Sequence, residues 1–115
     1  MATTADIRND AAEKLGILAE GEQLGADAST DLDNAYLEVH DELERDGLIW
    51  WTNTANIPDA YVAPIVSLVA VSRAVTYKVP IDRFQQLQVD ELKAWRKIWK
   101  LSAKPAISRT EIANF

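Results

Sequence analysis

The chain has 115 residues, 48% hydrophobic and 26% charged, which suits one domain with a single core. It contains no cysteine, so disulfides, thiol chemistry and cysteine-ligated metal are excluded. The net charge of −6 is unevenly placed: residues 1–60 carry 14 acidic and 3 basic side chains, whereas residues 61–115 carry 4 and 9. Such a division fits a nucleic-acid face, an acidic-to-basic partner contact, or acidic helices packed beside basic ones within the chain.

The start, Met1-Ala2-Thr3-Thr4-Ala5-Asp6, lacks the basic and apolar regions of a signal peptide, so a cytosol-like compartment is expected. A first helix is predicted from Thr4 to about Leu15, capped by Thr3 with Asp6 three residues on. Ile7, Ala11, Leu15 and Leu18 follow helical spacing. Gly16 stands where a C-terminal cap belongs, so Ile17 and Leu18 should fold back on the helix. Residues 19–26 read as a loop with two glycines. The second helix should start at Asp27 or Ser29, both good N-caps. Leu32, Tyr36, Val39 and Leu43 make its apolar stripe, opposite Asp31, Asp33, Glu38, Asp41, Glu42 and Glu44. Gly47 should end it as a left-handed cap.

Residues 48–56 fit a short strand or an irregular loop, and in neither can Trp50 and Trp51 both point inward. The stretch from Ile57 to Tyr77 is apolar nearly all the way round, the mark of a helix surrounded by others. Over that length it would run about 30 Å. Pro64, two serines and Arg73 interrupt it, so no run reaches the roughly 18 apolar residues of a membrane span. Pro58 should open this helix, while Pro64 implies a kink or a start near residue 60. Pro80 restarts the chain, and a fourth helix is predicted from about Ile81 to Ser102. Phe84, Gln88, Leu92, Trp95 and Trp99 fall on one of its faces, with Ile81 and Ile98 beside it. Lys93, Lys97, Lys100 and Lys104 make a second stripe, with Arg96 adjacent. The expectation is an all-α, four-helix domain over residues 1–104, with a long buried central helix and an extended C-terminal arm over residues 105–115.

Little in the sequence suggests catalysis. His40 has no second histidine and no HExxH arrangement around it, so a solvated or partly packed role is expected. Carboxylate pairs such as Glu38 and Asp41 lie on an amphipathic helix, where a solvated or partner-binding face is the ordinary outcome. Phosphate-binding glycine loops and a GxSxG elbow are absent. The reading is therefore a non-enzyme with no cofactor and no metal. The basic stripe has three open readings: a solvated helix back, an intersubunit contact with the acidic second helix, or a DNA-facing wall. Of the loop pair Trp50 and Trp51, one should close the bottom of the helical core; the other, with the apolar tail residues Ile107, Ile112 and Phe115, suits contacts with a partner.

The order of features carries a resemblance. Residues 11–22 read Ala-Ala-Glu-Lys-Leu-Gly-Ile-Leu-Ala-Glu-Gly-Glu, and an Asp-Ala-Ser-Thr-Asp helix start follows. The acidic helix closes in Asp46-Gly47-Leu48. Then come Ile57-Pro58-Asp59-Ala60-Tyr61, an alanine- and valine-rich helix, and the Val79-Pro80 break. Over roughly residues 5–100 this resembles the head–tail adaptor (connector, or head-completion) proteins of tailed bacteriophages. The resemblance implies a virion protein at the head–tail junction, assembled in the host cytoplasm as a ring, typically a dodecamer. Its partners would be the portal protein, a tail or stopper protein, other copies of itself, and DNA in transit without sequence specificity, but no membrane. Such rings extend the DNA channel and help retain the packaged genome. Their C-terminal arms clasp the portal; here Ile107, Ile112 and Phe115 would be anchors and Arg109 a charged contact. Glu38, Asp41 and Glu42 would form one intersubunit face. Lys93, Arg96, Lys97 and Lys100 would form another, or line the channel. The alternatives are a stand-alone regulatory or nucleic-acid-binding helical domain, and a small helical enzyme with perturbed carboxylates around His40.

Overall fold

The chain folds into four helices in the computed structural model, which describes residues 2–18 and 23–102. They are α1 (Thr4–Leu15), α2 (Ala26–Arg45), α3 (Asp59–Ser72) and α4 (Ile81–Ser102). The described residues form an all-α domain; their only strand-like feature is an isolated antiparallel bridge between Ala2 and Ile57. The expected arm, with Ile107, Arg109, Ile112 and Phe115, lies outside the described residues, as do residues 19–22.

The ends of α1 follow from local chemistry. The Thr3 hydroxyl accepts from the Asp6 N–H at 3.2 Å, and the Asp6 carboxylate accepts from the Thr3 N–H at 3.0 Å, so two otherwise orphaned donors are satisfied. Gly16 adopts φ +81°, and the Ile17 N–H reaches back to the Ala12 carbonyl. That turn folds Leu18 into the core and Ile17 against it. α2 closes in the same way. Gly47 has φ +75°, its N–H bonds to the Glu44 carbonyl, and the Leu48 N–H bonds to the Leu43 carbonyl at 2.9 Å. Leu43 and Leu48 are both buried, which adds the apolar contact that accompanies this cap.

The start of α2 differs from expectation. Its N-cap is Gly25, which makes no side-chain capping bond, and the Ser29 N–H already donates to the Gly25 carbonyl. Asp27 therefore acts from inside the first turn, as a negative charge near the positive end of the helix dipole.

α3 is the hub: α1, α2 and α4 each pack against it. Its buried residues are Tyr61, Pro64, Ile65, Val66, Ser67, Leu68, Val69 and Ala70, which cover more than one side. Burying each of its larger aliphatic side chains contributes about 1.5–3 kcal/mol. No helix among the described residues is long and apolar enough to cross a membrane.

α3 is shorter than the apolar stretch that contains it. It begins at Asp59, with Pro58 as its N-cap, and ends at Ser72 rather than near Tyr77, giving about 21 Å instead of about 30 Å. Pro64 stays inside it. The Ala60 carbonyl, deprived of the Pro64 N–H, sits on an exposed residue, where water can reach it. At the other end the Ser72 hydroxyl donates to the Val69 carbonyl at 2.7 Å and competes with the helix ladder. Residues 73–78 continue as hydrogen-bonded turns that finish with Lys78 at φ +53°.

Residues 48–58 form an irregular loop, one of the two outcomes the sequence allowed. Leu48, Ile49, Trp51 and Ile57 point inward while Trp50 points out. The Ala2–Ile57 bridge, with bonds of 3.1 and 2.7 Å, ties the loop to the chain start.

Candidate functional site

On α2 the acidic residues face outward, as the stripe of Leu32, Tyr36, Val39 and Leu43 requires. Several are engaged within the chain. Arg73 donates from Nε to Asp31 Oδ1 at 3.1 Å and from both terminal nitrogens to the Glu38 carboxylate at 3.2 Å. The Tyr77 hydroxyl donates to Asp31 Oδ2 at 2.9 Å. Here lies the physical reason α3 stops early: tight turns bring Arg73 and Tyr77 onto α2. The paired bonds to Glu38 raise the Arg73 pKa, burial opposes them, and Asp31 raises it further. Burial and Asp31 push the Tyr77 hydroxyl to about 12. Arg8 pairs with Asp33, and Arg45 pairs with Asp41 one turn before it. Of the three expected acidic contact residues, Glu38 and Asp41 thus have partners inside the chain, and Glu42 is exposed.

On α4 the basic side chains Lys93, Arg96, Lys97 and Lys100 are all exposed. Among the described residues none of them makes an ion pair, although the charge of Lys93 helps to lower Asp90. Asp90 is held below the usual carboxylate range chiefly by its hydrogen bond from Lys14, with help from Gln86. Arg83 donates to the Lys14 carbonyl at 3.0 Å, so α4 also caps the end of α1. The acidic helix does not pack beside the basic one: α2 and α4 are not a packed pair, and α3 contacts both. The intramolecular reading of the charge asymmetry holds where Arg73, from the basic half, engages Asp31 and Glu38 of α2, but it does not extend to packing of α2 on α4.

The apolar pattern of α4 also divides. Leu87, Ala94 and Ile98 turn to the core. Phe84 and Trp95 are half-buried at its margin, while Ile81, Leu92 and Trp99 are exposed. The stripe singled out from the sequence is thus a second face beside the core face. The signal for the true core face was present in the spacing of Leu87, Ala94 and Ile98, at seven and four, but Ala94 is small and the tryptophans outweighed it.

A groove of about 670 Å³ runs between α1, α3 and α4. Its walls include Val62, Ala63, Pro64, Val66 and Ala94, and its rim carries Asp10, Lys14, Asp90, Lys93 and Lys97. Burial, then repulsion from Asp6, raises the Asp10 pKa. Among the described residues no cluster of three or more potential ligands could hold a metal ion.

His40 is not on this groove. It is 3% exposed, and its Nε2 donates to the Trp51 carbonyl at 2.7 Å. The Trp51 indole N–H donates to the Tyr36 hydroxyl at 3.2 Å. His40 is therefore a buried strut under the tryptophan loop, more enclosed than its place on an acidic helix suggested. Trp50 leans edge-on against Trp51 and Tyr61, with ring centroids 5.2 and 5.5 Å away, yet stays 70% exposed. Of the two tryptophans, Trp51 completes the core and Trp50 stays outside, the one-in, one-out division expected of the pair.

Comparison with protein-family models, curated proteins and solved structures gave no match.

Proposed function

We propose that the protein is a structural, non-enzymatic adaptor of the head–tail junction of a tailed phage. Copies assemble as a ring, a dodecamer by the resemblance, between the portal protein and a tail or stopper protein. The ring extends the DNA channel and helps retain the genome, and its site of action is the virion.

The observation that carries the reading is the separation of charge between α2 and α4. A closed ring needs a heterologous contact, in which one face meets a different face of the neighbour. α2 has an acidic outer face on which Glu42 and Glu44 are exposed while Asp31, Asp33, Glu38 and Asp41 pair within the chain. α4 has a basic face that makes no ion pair among the described residues, and α3 holds the two faces apart. Lysines without a base-reading constellation also suit a channel through which DNA must slide. The segment from Pro105 supplies the portal-binding arm, with Ile107, Ile112 and Phe115 as anchors and Arg109 as its charge. Burial of these apolar anchors on the portal would supply the free energy of attachment.

The test is deletion of residues 105–115, followed by circular dichroism, thermal melting and attachment to purified portal rings. The truncated chain should keep its helical signal and cooperative melt but fail to attach. Normal attachment would refute the arm assignment. The exposed basic stripe also fits a stand-alone nucleic-acid-binding domain. That reading requires salt-sensitive binding of the isolated chain to free DNA, abolished when Lys93, Lys97 and Lys100 become glutamate.

A further inference from the structure

The large apolar side chains that remain exposed among the described residues fall into two sets. Val75 (81% exposed), Ile81 (67%), Val89 (45%), Leu92 (62%) and Trp99 (59%) lie on α4 or the turn before it. Leu37 (42%) and Trp50 (70%) lie on α2 and the loop after it. Scattered single apolar residues need no explanation, but a row of them on one helix face marks an interaction surface. Ile81, Leu92 and Trp99 recur at helical spacing, and the row from Ile81 to Trp99 extends about 27 Å. At its start lies an open cavity of about 280 Å³, lined by Ala74, Val75, Lys78, Val79, Ile81 and Phe84.

We infer that the exposed apolar row of α4 is one half of a head-to-tail contact between copies of this chain. The other half is the outer face of α2 with Leu37, together with Trp50 on the loop that follows. The inference deepens the ring reading above and rests on it for its biological setting. Charge selects this pairing. Arg96 lies one turn from both Leu92 and Trp99, and Lys100 one turn further, so the α4 row has a basic edge. Beyond Leu37 on α2, Asp41 is paired with Arg45, and Glu42 and Glu44 are exposed beside them, so this end of α2 stays net acidic. Placing α4 against α4 brings two basic helices together, and α2 against α2 brings two acidic ones; only the crossed pairing matches charges. Trp50 and Trp99 are the anchors, since large aromatic side chains dominate interface energetics. Because the two faces sit on helices that are not packed together, each copy can use both at once, and the contact propagates.

The test uses two variants of the full chain. One carries Leu92→Glu with Trp99→Glu and keeps the α2 face; the other carries Leu37→Lys with Trp50→Lys and keeps the α4 face. Sedimentation velocity should find concentration-dependent association of the unmodified chain and monomers for each variant alone. An equimolar mixture should give a 1:1 dimer that grows no further. If a tryptophan change unfolds the domain, Leu92→Glu and Leu37→Lys alone carry the same test. Association of the second variant by itself would show α4 meeting α4 and overturn the inference. So would a monomeric unmodified chain at every concentration, or a mixture of folded variants that stays monomeric. Portal attachment is scored separately. Attachment without self-association would sink this contact and leave the adaptor reading, and self-association without attachment would do the reverse.

Discussion

Replacing Arg73 by methionine keeps the aliphatic stem and removes the guanidinium. Three charge-assisted hydrogen bonds go with it, one to Asp31 and two to Glu38. Their contributions differ because water reaches them differently. The Arg73 side chain is 16% exposed, that of Asp31 34% and that of Glu38 66%. A shielded hydrogen bond to a charged group is worth about 1.5–3 kcal/mol, whereas an exposed ion pair contributes about 0–1 kcal/mol. Glu38 has the larger influence on the Arg73 pKa, yet solvent screening makes Asp31 the stronger contributor to stability. The whole substitution should cost about 2–3 kcal/mol, roughly 10 °C in Tm for a domain of this size. Urea denaturation of a double-mutant cycle separates the partners, with Arg73→Met combined in turn with Asp31→Asn and Glu38→Gln. Coupling to Asp31 should be about 1–2 kcal/mol; coupling to Glu38 should stay below about 1 kcal/mol and fall with added salt. A larger coupling to Glu38, or an Arg73→Met chain as stable as the original, would refute the account.

His40→Ala should destabilise by about 2–4 kcal/mol, because it leaves the Trp51 carbonyl without its donor and opens a void under the loop. Tryptophan fluorescence during denaturation reports it, and an unchanged midpoint would show that the strut is dispensable. The Tyr77 hydroxyl has a folded pKa of about 12 against an ordinary 10.0, so its contribution is complete below pH 10 and is lost as pH rises through the folded value. Tyr77→Phe should flatten that alkaline limb of a stability–pH curve. Asp90 behaves oppositely: its folded pKa is depressed, so its contribution is present above the ordinary carboxylate pKa and disappears as pH falls through the lower, folded one. Asp90→Asn should remove that acid limb. Gly47→Ala should cost about 1–2 kcal/mol from its left-handed backbone alone, since nothing crowds the added methyl. Gly16→Ala should cost more, because its methyl would also meet the Arg83 guanidinium at 3.1 Å. Chemical denaturation that ranks the two the other way would contradict the packing described at α1.

The helices and most of their ends were legible in the order of residues alone. Capping is local chemistry: Thr3 with Asp6, Gly16, Gly47, and Pro58 and Pro80 each act on their own few residues, so their effects can be read without knowing the fold. Also legible was the enclosure of the stretch around Ile65 to Ala70, since no amphipathic orientation could hide those residues on one side. The tertiary structure decided what depends on distant partners. Asp31 lies 42 residues from Arg73, and their contact ends α3 five residues before the apolar pattern does. His40 looked solvated on its own helix until the Trp51 carbonyl came down on it from the following loop. On α4, periodicity offered two adjacent apolar faces and could not rank them. Docking against α3 assigned Leu87, Ala94 and Ile98 to the core and left Ile81, Leu92 and Trp99 outside. Periodicity measures position around one helix axis, and burial is set by which neighbour occupies the space beside it.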